Sequence, residues 1–289
     1  MSKFGEPIVE GLSTEYDGDL LHSEQTPFQR LDIYEHPHFG RVLTLDGLIQ
    51  TTQADEFYYH EMLVHPSLAS LERVKRVLII GGGDGGTLRR VLEHGPMEAV
   101  MCEIDDAVIR ACREHMPDIS AGAFDDPRTR VVIGDGAAFV ADHGEEFDAI
   151  VVDGSDAVGP ATVLFSEAFY AACRRALRPG GVFVTQSGSP WCQLDEFRLA
   201  FGNASAAFPV VEAYLSFVPT YPGVLWSYTS GTSGEPVSRV SRDVIRARMD
   251  ARGIDTKFYN PELHQAAFAL PQFVRDICAS TVPASVPRV

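Results

Sequence analysis

From Val77 onward the sequence alternates short, unbroken apolar runs with stretches of helix-forming residues, and this alternation limits the fold more than any other feature. The runs are VLII (77–80), AVMCEI (99–104), RVVIG (130–134), FDAIVVD (147–153) and GVFVTQ (181–186). Strands that are apolar on both sides fit a parallel sheet covered on both faces, not a sheet with one wet side. Between them lie TLRRVLEH, DAVIRACREHM, AAFVADHG and SEAFYAACRRAL, which are suited to crossover helices. After residue 209, VVEAYLSFVP and LWSYTS add two more strands, as in a seven-stranded sheet with an antiparallel edge. The expected class is α/β, with helices on both faces of the sheet.

The first 55 residues have a different texture. LDIYE, RVLTLD and LIQTT are short β-type runs separated by the turn signals HPHFG and DG. ADEFYYHEMLVHPSLASL then carries helix formers, with Asp55 and Glu56 at its start and Pro66 late. Two parts are therefore expected: a small N-terminal β module over residues 1–55 and an α/β domain over 56–289. The closing PASVPRV reads as a frayed end.

No apolar run approaches the roughly 20 residues that cross a bilayer, and MSKFGEPIVE lacks the basic and apolar regions of a secretory signal. Five cysteines with no CxxC pair read as reduced thiols, so a cytoplasmic location is expected. The net charge of −16 argues against nucleic acid as a partner. It is compatible with plain solubility and with attraction of a cationic substrate, and charge alone does not decide between them.

The first strand runs into GGGDGG (81–86), a glycine loop of the kind that lets backbone approach a ligand at a helix N-terminus. Asp84, in its middle, would repel a phosphate. The ligand is therefore not expected to be a dinucleotide. The second strand ends at Glu103, where folds of this kind bind ribose hydroxyls. The third runs into Gly134-Asp135-Gly136; Asp135 either accepts from a purine amine or merely shapes a turn, and its register with Asp84 and Glu103 favours the purine. The fourth strand ends at Asp153, with Asp156 three residues on. Two acids this close need a cation between them or must share a proton. No histidine lies nearby in sequence, so an organic amine suits them better than a metal. The pair His36 and His38 reads as hairpin-turn chemistry, again not as a metal site.

Together GGGDGG, the EID at 103–105, GDG, the D-x-S-D-x-x-GPA loop from Asp153, PTY at 219–221, LDGLIQTTQADEFYYHEM (45–62) and YNPELHQAAFALPQF (259–273) resemble the spermidine synthase (polyamine aminopropyltransferase) family, and most of all its bacterial branch with YHEM. The likeness runs from roughly residue 25 to residue 275. It implies a methyltransferase-like, Rossmann-type sheet domain. It also implies transfer of an aminopropyl group from decarboxylated S-adenosylmethionine to an amine, commonly putrescine, leaving methylthioadenosine. The donor is a co-substrate, and no cofactor or metal is expected. The partners expected are a small amine and a nucleoside sulfonium, with no nucleic acid and no membrane. The β module implies a homodimer or homotetramer.

Carried over by position, the resemblance assigns Gln29, Gln50, Asp84, Glu103, Asp135, Gly136 and Pro160 to the donor. It assigns Tyr59, His60, Asp156, Gln186 and Tyr221 to the amine channel, and makes Asp153 the proton acceptor. Asp84 would pair with the donor's terminal ammonium and repel the carboxylate of ordinary S-adenosylmethionine. A methyltransferase on the same sheet would carry its acid early in the glycine loop. Trp191 and Trp226 also offer faces to an alkyl diamine, although Tyr59 and Tyr221 are the stronger candidates. Gly154 and Ala157 depart from the family pattern and would loosen the loop that closes over the donor, whereas Gly223 and Tyr228 depart near the acceptor and so bear on which amine is preferred.

Overall fold

A computed structural model of the chain describes residues 2–155 and 159–282. Its N-terminal part is an antiparallel five-stranded sheet. The strands are β1 (Ser2–Phe4), β4 (Tyr16–Gln25), β5 (Arg30–His36), β6 (Gly40–Leu45) and β7 (Leu48–Thr52), in that spatial order. A small hairpin of β2 (Pro7–Val9) and β3 (Leu12–Ser13) interrupts the run between β1 and β4. The DG signal is the turn between β6 and β7. Asp46 and Gly47 take φ of 50° and 84°, the left-handed pair that a two-residue hairpin matching strand twist requires. In the HPHFG turn, His36 Nδ1 accepts the backbone N–H groups of His38 and Phe39, each at 3.1 Å.

Both faces of this module are used. Leu31, Ile33 and Leu43 pack against Val108, Cys112, Met116 and Ile119 of helices α3 (Asp106–His115) and α4 (Pro117–Ser120), while Phe4, Tyr34, Val42 and Ile49 form a separate cluster. The alternation Leu31-Asp32-Ile33-Tyr34 is what sends side chains to the two sides.

The larger sheet holds β8 (Arg76–Gly81), β9 (Glu98–Glu103), β10 (Thr129–Ile133), β11 (Phe147–Asp153), β12 (Leu177–Gln186), β13 (Val210–Phe217) and β14 (Leu225–Thr232). The spatial order is β10-β9-β8-β11-β12-β14-β13, parallel through β12 and antiparallel beyond it. Unbroken apolar runs are explained directly. Val77 and Ile79 enter one core with α1 (Glu56–Ala69) and α2 (Gly86–Glu93), whereas Leu78 and Ile80 enter the other with α6 (Glu167–Ala176). β12 begins at Leu177, earlier than the GVFVTQ run, because Leu177 pairs with Phe147 across a register shift. The chain steps outward from β8 to β9 and β10 and then crosses back to β11 on the other side of β8, so a crevice opens at the carboxyl ends of these strands.

Helix α1 fills the space beside that crevice and is buried along most of its length. Pro66 inside it has no N–H to donate to the Met62 carbonyl. The Tyr214 hydroxyl, reaching over from β13, donates to that carbonyl at 2.9 Å and replaces the missing bond. Helices α5 (Gly136–Ala141), α7 (Leu194–Ala207), α8 (Arg242–Arg252), α9 (Pro261–Ala267) and α10 (Gln272–Thr281) complete the layers. No helix among the described residues is long and apolar enough to cross a membrane.

The segment before α9 is pinned to α1 by Glu61, a fully buried carboxylate. It accepts the backbone N–H groups of Lys257, Phe258 and Tyr259 at 2.9, 2.8 and 2.9 Å. Replacing it by alanine orphans three donors, so Glu61→Ala is expected to lower unfolding stability by about 3 kcal/mol. Urea denaturation of the variant beside wild type measures this.

Candidate active site

The loop after β8 owes its course to very close backbone approach. Gly81 and Gly82 have φ of 83° and 76°, and a Cβ on Gly81 would lie 2.2 Å from the Asp153 carbonyl oxygen. The Gly82 N–H donates to that same carbonyl at 2.9 Å, which clamps the loop to the end of β11. At Gly86, which opens α2, a Cβ would meet the His60 ring at 2.2–2.6 Å. Asp84 sits between these glycines. Its Oδ1 accepts the Gly86 N–H at 2.8 Å, and its Oδ2 faces His60 Nε2 at 3.4 Å.

At the end of β9, buried Glu103 accepts the Asp105 N–H through Oε1 at 2.9 Å. Burial, only partly offset by that backbone bond, pushes its carboxyl up to about 7. Asp105 caps α3 by accepting the Ala107 N–H at 3.2 Å. Its other oxygen accepts the Thr26 hydroxyl at 2.7 Å and the Gln29 amide at 3.1 Å. One carboxylate thus caps a helix of the sheet domain and holds the β module's 26–29 turn against it. At the end of β10, Asp135 caps α5, with Oδ1 accepting the N–H groups of Ala137 and Ala138 at 2.8 and 3.2 Å.

Asp153 ends β11, and the Tyr59 hydroxyl donates to its Oδ1 at 2.7 Å. Burial and the nearby Asp84 raise the Asp153 carboxyl, and His60 counters them. Burial and Asp153 hold the Tyr59 phenol well above its ordinary range, so it stays a donor. Tyr221 lies 5.4 Å from Tyr59, centroid to centroid, with Trp226 edge-on to it at 4.6 Å. The Tyr221 hydroxyl donates to the Gln50 carbonyl of the β module. Its loop is held by buried Asp55, which accepts from the Thr52 hydroxyl at 2.6 Å and from the Thr220 N–H and hydroxyl at 3.1 and 2.7 Å. Gln186 accepts the Gly188 N–H at 2.8 Å and turns its amide toward Gly154 O and Glu196.

These elements surround a cavity of about 240 Å³ between module and sheet. Gln29, Gln50, Tyr59, Asp84, Glu103, Asp135, Gly136, Asp153, Gln186 and Tyr221 all line it. His60 does not. It lies behind Asp84, 1% exposed. Pro160 falls in the 3-10 helix Gly159–Phe165, whose Ala161, Val163 and Leu164 form part of the wall. Asp156 lies outside the described residues. Trp226 is in the wall, but Trp191 is 65% exposed and outside it. The apolar walls from Leu43, Leu48, Ile49 and Val108 escaped sequence reasoning, because a core leucine and a pocket leucine carry the same pattern. So did Glu6, a buried acid whose Oε2 accepts the Ile49 N–H at 3.2 Å. It stands alone before a three-residue strand, with no motif around it.

The charge of the wall is one-sided. Glu6, Asp46, Asp84, Glu103, Asp135 and Asp153 line it, and no Lys, Arg or His does among the described residues. Single ligand atoms of His60, Asp84 and Asp153 fall within 4.8 Å of one another, close enough to share one positive charge. A crevice at the switch point of a Rossmann-type sheet, walled by acids and aromatics, defines a site for a cationic, nucleoside-like ligand.

Known proteins agree with this class. A family model for the spermine/spermidine synthase domain matches residues 56–240, and one for the spermidine synthase tetramerisation domain matches residues 13–53. Polyamine aminopropyltransferase 1 of Pseudomonas aeruginosa is 46% identical over 276 residues, covering 95% of this chain and 96% of its own. The polyamine aminopropyltransferase of an Escherichia coli K12 strain is 43% identical over 263 residues, 91% of each chain. A crystal structure of a spermidine synthase in complex with the transition-state analogue AdoDATO superposes with a TM-score of 0.92. It has 40% identity and covers 96% of this chain and 95% of that one. The spermidine synthase structure from Thermotoga maritima gives 0.89 at 39% identity, covering 96% and 94%. The chain belongs to the spermine/spermidine synthase family and is, by class, an aminopropyltransferase.

The state of Glu103 gives a pH signature. A carboxyl raised from 4.5 to about 7 on folding binds extra protons in the folded state. Folded ligand-free protein therefore loses stability as pH climbs through that window, by ~3 kcal/mol in all. In Glu103→Gln this loss disappears. The variant's melting temperature is expected to overtake wild type progressively between those pH values, with no further gain above pH 8.

Proposed function

We propose that the chain transfers the aminopropyl group of decarboxylated S-adenosylmethionine to putrescine, giving spermidine and 5'-methylthioadenosine. The observation that carries this reading is a cavity wall whose charged side chains, among the described residues, are all acids, with Asp153 held by Tyr59 inside it. Such a wall suits a donor that has lost its carboxylate and kept an ammonium. Asp84 pairs with that ammonium and disfavours the intact carboxylated donor. Glu103 takes the ribose hydroxyls. Asp135, whose Oδ1 is occupied by α5, offers Oδ2 to the adenine amine, with Gly136 and Pro160 beside the nucleoside. Gln29 and Gln50 bound the donor from the module side.

The acceptor presents the chemical difficulty. A primary amine with a lysine-like pKa of roughly 10.4 is protonated near neutral pH, and stripping that proton costs ~4 kcal/mol. Asp153 takes the proton, directly or through a water. The freed lone pair attacks the methylene carbon next to the sulfonium, the C–S bond breaks, and its electron pair neutralises the sulfur as a thioether. With so good a leaving group, most remaining work is alignment of nitrogen, carbon and sulfur. Tyr59 steadies Asp153, while Tyr221, Trp226 and Gln186 flank the alkyl chain and Asp156 joins the acceptor's anchorage. The enzyme acts in the cytoplasm as a homodimer or homotetramer through its β module, with no cofactor.

The deciding experiment incubates purified protein with decarboxylated or intact S-adenosylmethionine and a panel of di- and triamines, followed by mass spectrometry. Spermidine and methylthioadenosine from the decarboxylated donor alone are expected; methylated amine from the intact donor would sink the reading. Asp153→Asn is expected to lower kcat by at least ~100-fold, and a loss within about threefold would remove Asp153 as the base. Because the wall is acidic, kcat/KM for putrescine should fall several-fold between roughly 20 and 200 mM salt, and a flat profile would exclude electrostatic capture.

A further inference from the structure

Behind the cavity wall lies a row of charged groups that the proposed reaction does not touch. His60 is fully enclosed, and each ring nitrogen faces a carboxylate: Nδ1 meets Glu56 Oε2 at 2.8 Å, and Nε2 meets Asp84 Oδ2 at 3.4 Å. A neutral imidazole has one N–H and one lone pair, so it would turn a lone pair toward one of these oxygens. Only the imidazolium, with an N–H on both sides, matches both. The ring cannot rotate away, because it packs on the bare backbone of Gly86. Glu56 is fixed in turn by Arg90, 3% exposed, which donates to Glu56 Oε1 at 3.3 Å and to Glu93 Oε1 at 3.0 Å.

We propose that Glu56, held by Arg90, is a positioning residue that fixes His60 as a permanent imidazolium aimed at Asp84, and that this internal cation keeps Asp153 ionised between turnovers. The proposal rests on the functional reading above for its effect on catalysis, but not for the state of His60. The groups facing His60 are Glu56 and Tyr59 on its own helix, Asp84 from the glycine loop and Asp153 from β11, while Arg89 and Arg90 from α2 act on Glu56 behind it. Burial pulls the ring's affinity for a proton down, and Asp84 and Glu56 together outweigh it, lifting it to about 10. Without the cation, burial and the Asp84 charge would raise the Asp153 carboxyl with less to oppose them. With it, Asp153 is ready to accept a proton from the amine.

Glutamine at position 56 keeps the hydrogen bond to Nδ1 and removes the charge. In Glu56→Gln the acid limb of the kcat/KM–pH profile is expected to move up by about one unit, with kcat on the alkaline plateau within about threefold of wild type. A merely structural role would lower activity equally at every pH and leave the limb where it was; that result overturns the proposal. Independently of any substrate, ¹⁵N-histidine NMR of wild type should show one ring, absent in His60→Gln, with both nitrogens protonated at pH 8.5. A His60 signal that titrates near the ordinary 6.5 would equally refute it. Should Glu56→Gln fail to fold by its melting curve, the wild-type spectrum alone decides. Should aminopropyl transfer fail while the imidazolium persists, the functional reading falls and the state of His60 stands.

Discussion

The N–H of Gly82 hydrogen-bonded to the carbonyl of Asp153 is the contact on which the rest of the site hangs. It joins the end of β8 to the end of β11 at the point where the sheet's connections diverge. It is possible only because residues 81 and 82 carry no side chains at left-handed φ. From that clamp follow the height of Asp84 above the sheet, its distance from Asp153, and the opening of α2 against the His60 ring. Substituting glycine here would disturb acid geometry before it disturbed the fold.

A second constraint is electrostatic. Several carboxylates share a small space with no basic side chain in its wall among the described residues, which ordinarily drives protons onto them. The acids in the wall and behind it are managed differently. Asp105 and Asp135 spend an oxygen on helix N-termini, and Asp55 and Glu61 are saturated by hydroxyl and backbone donors. Glu103 yields and sits near half-protonation at neutral pH. Asp153, which has to stay charged for the proposed chemistry, receives a cation from behind the wall. Empty, the site is thus a store of unfavourable charge, and a cationic ligand is its natural relief.

How much of this was legible in sequence follows from the physics of each signal. The sheet was, because strands such as VLII and FDAIVVD are apolar on both faces and so cannot be anything half-exposed. β4 was not: YDGDLLHSEQ is mostly solvent-facing in the fold and shows no alternation. Helices α8 and α9 carried readable punctuation, with Ser241 and Gly253 at the ends of one and Asn260-Pro261 opening the other, although their faces are too polar to stand out. In the site, strand-end acids announced themselves by position. The resemblance puts His60 in the channel, because a match by position places a residue near a site without saying whether it faces the ligand or stands one layer behind. Glu6 had no spacing at all to reveal it, since its place depends on a side-chain bond to the Ile49 N–H, 43 positions away.

The bonds that join the two parts are also extreme in sequence separation. Thr26 reaches Asp105 across 79 positions, Thr220 reaches Asp55 across 165, and Tyr221 reaches Gln50 across 171. A ribosome releases the β module early, and Asp105 follows soon after, but Thr220 and Tyr221, which lock its other side over the crevice, come much later. The strands can pair and the module can fold long before this, yet the chamber between them has no lid until the PTY loop arrives. The nascent chain is therefore built in an order that leaves its binding site unclosed until Tyr221 has been made.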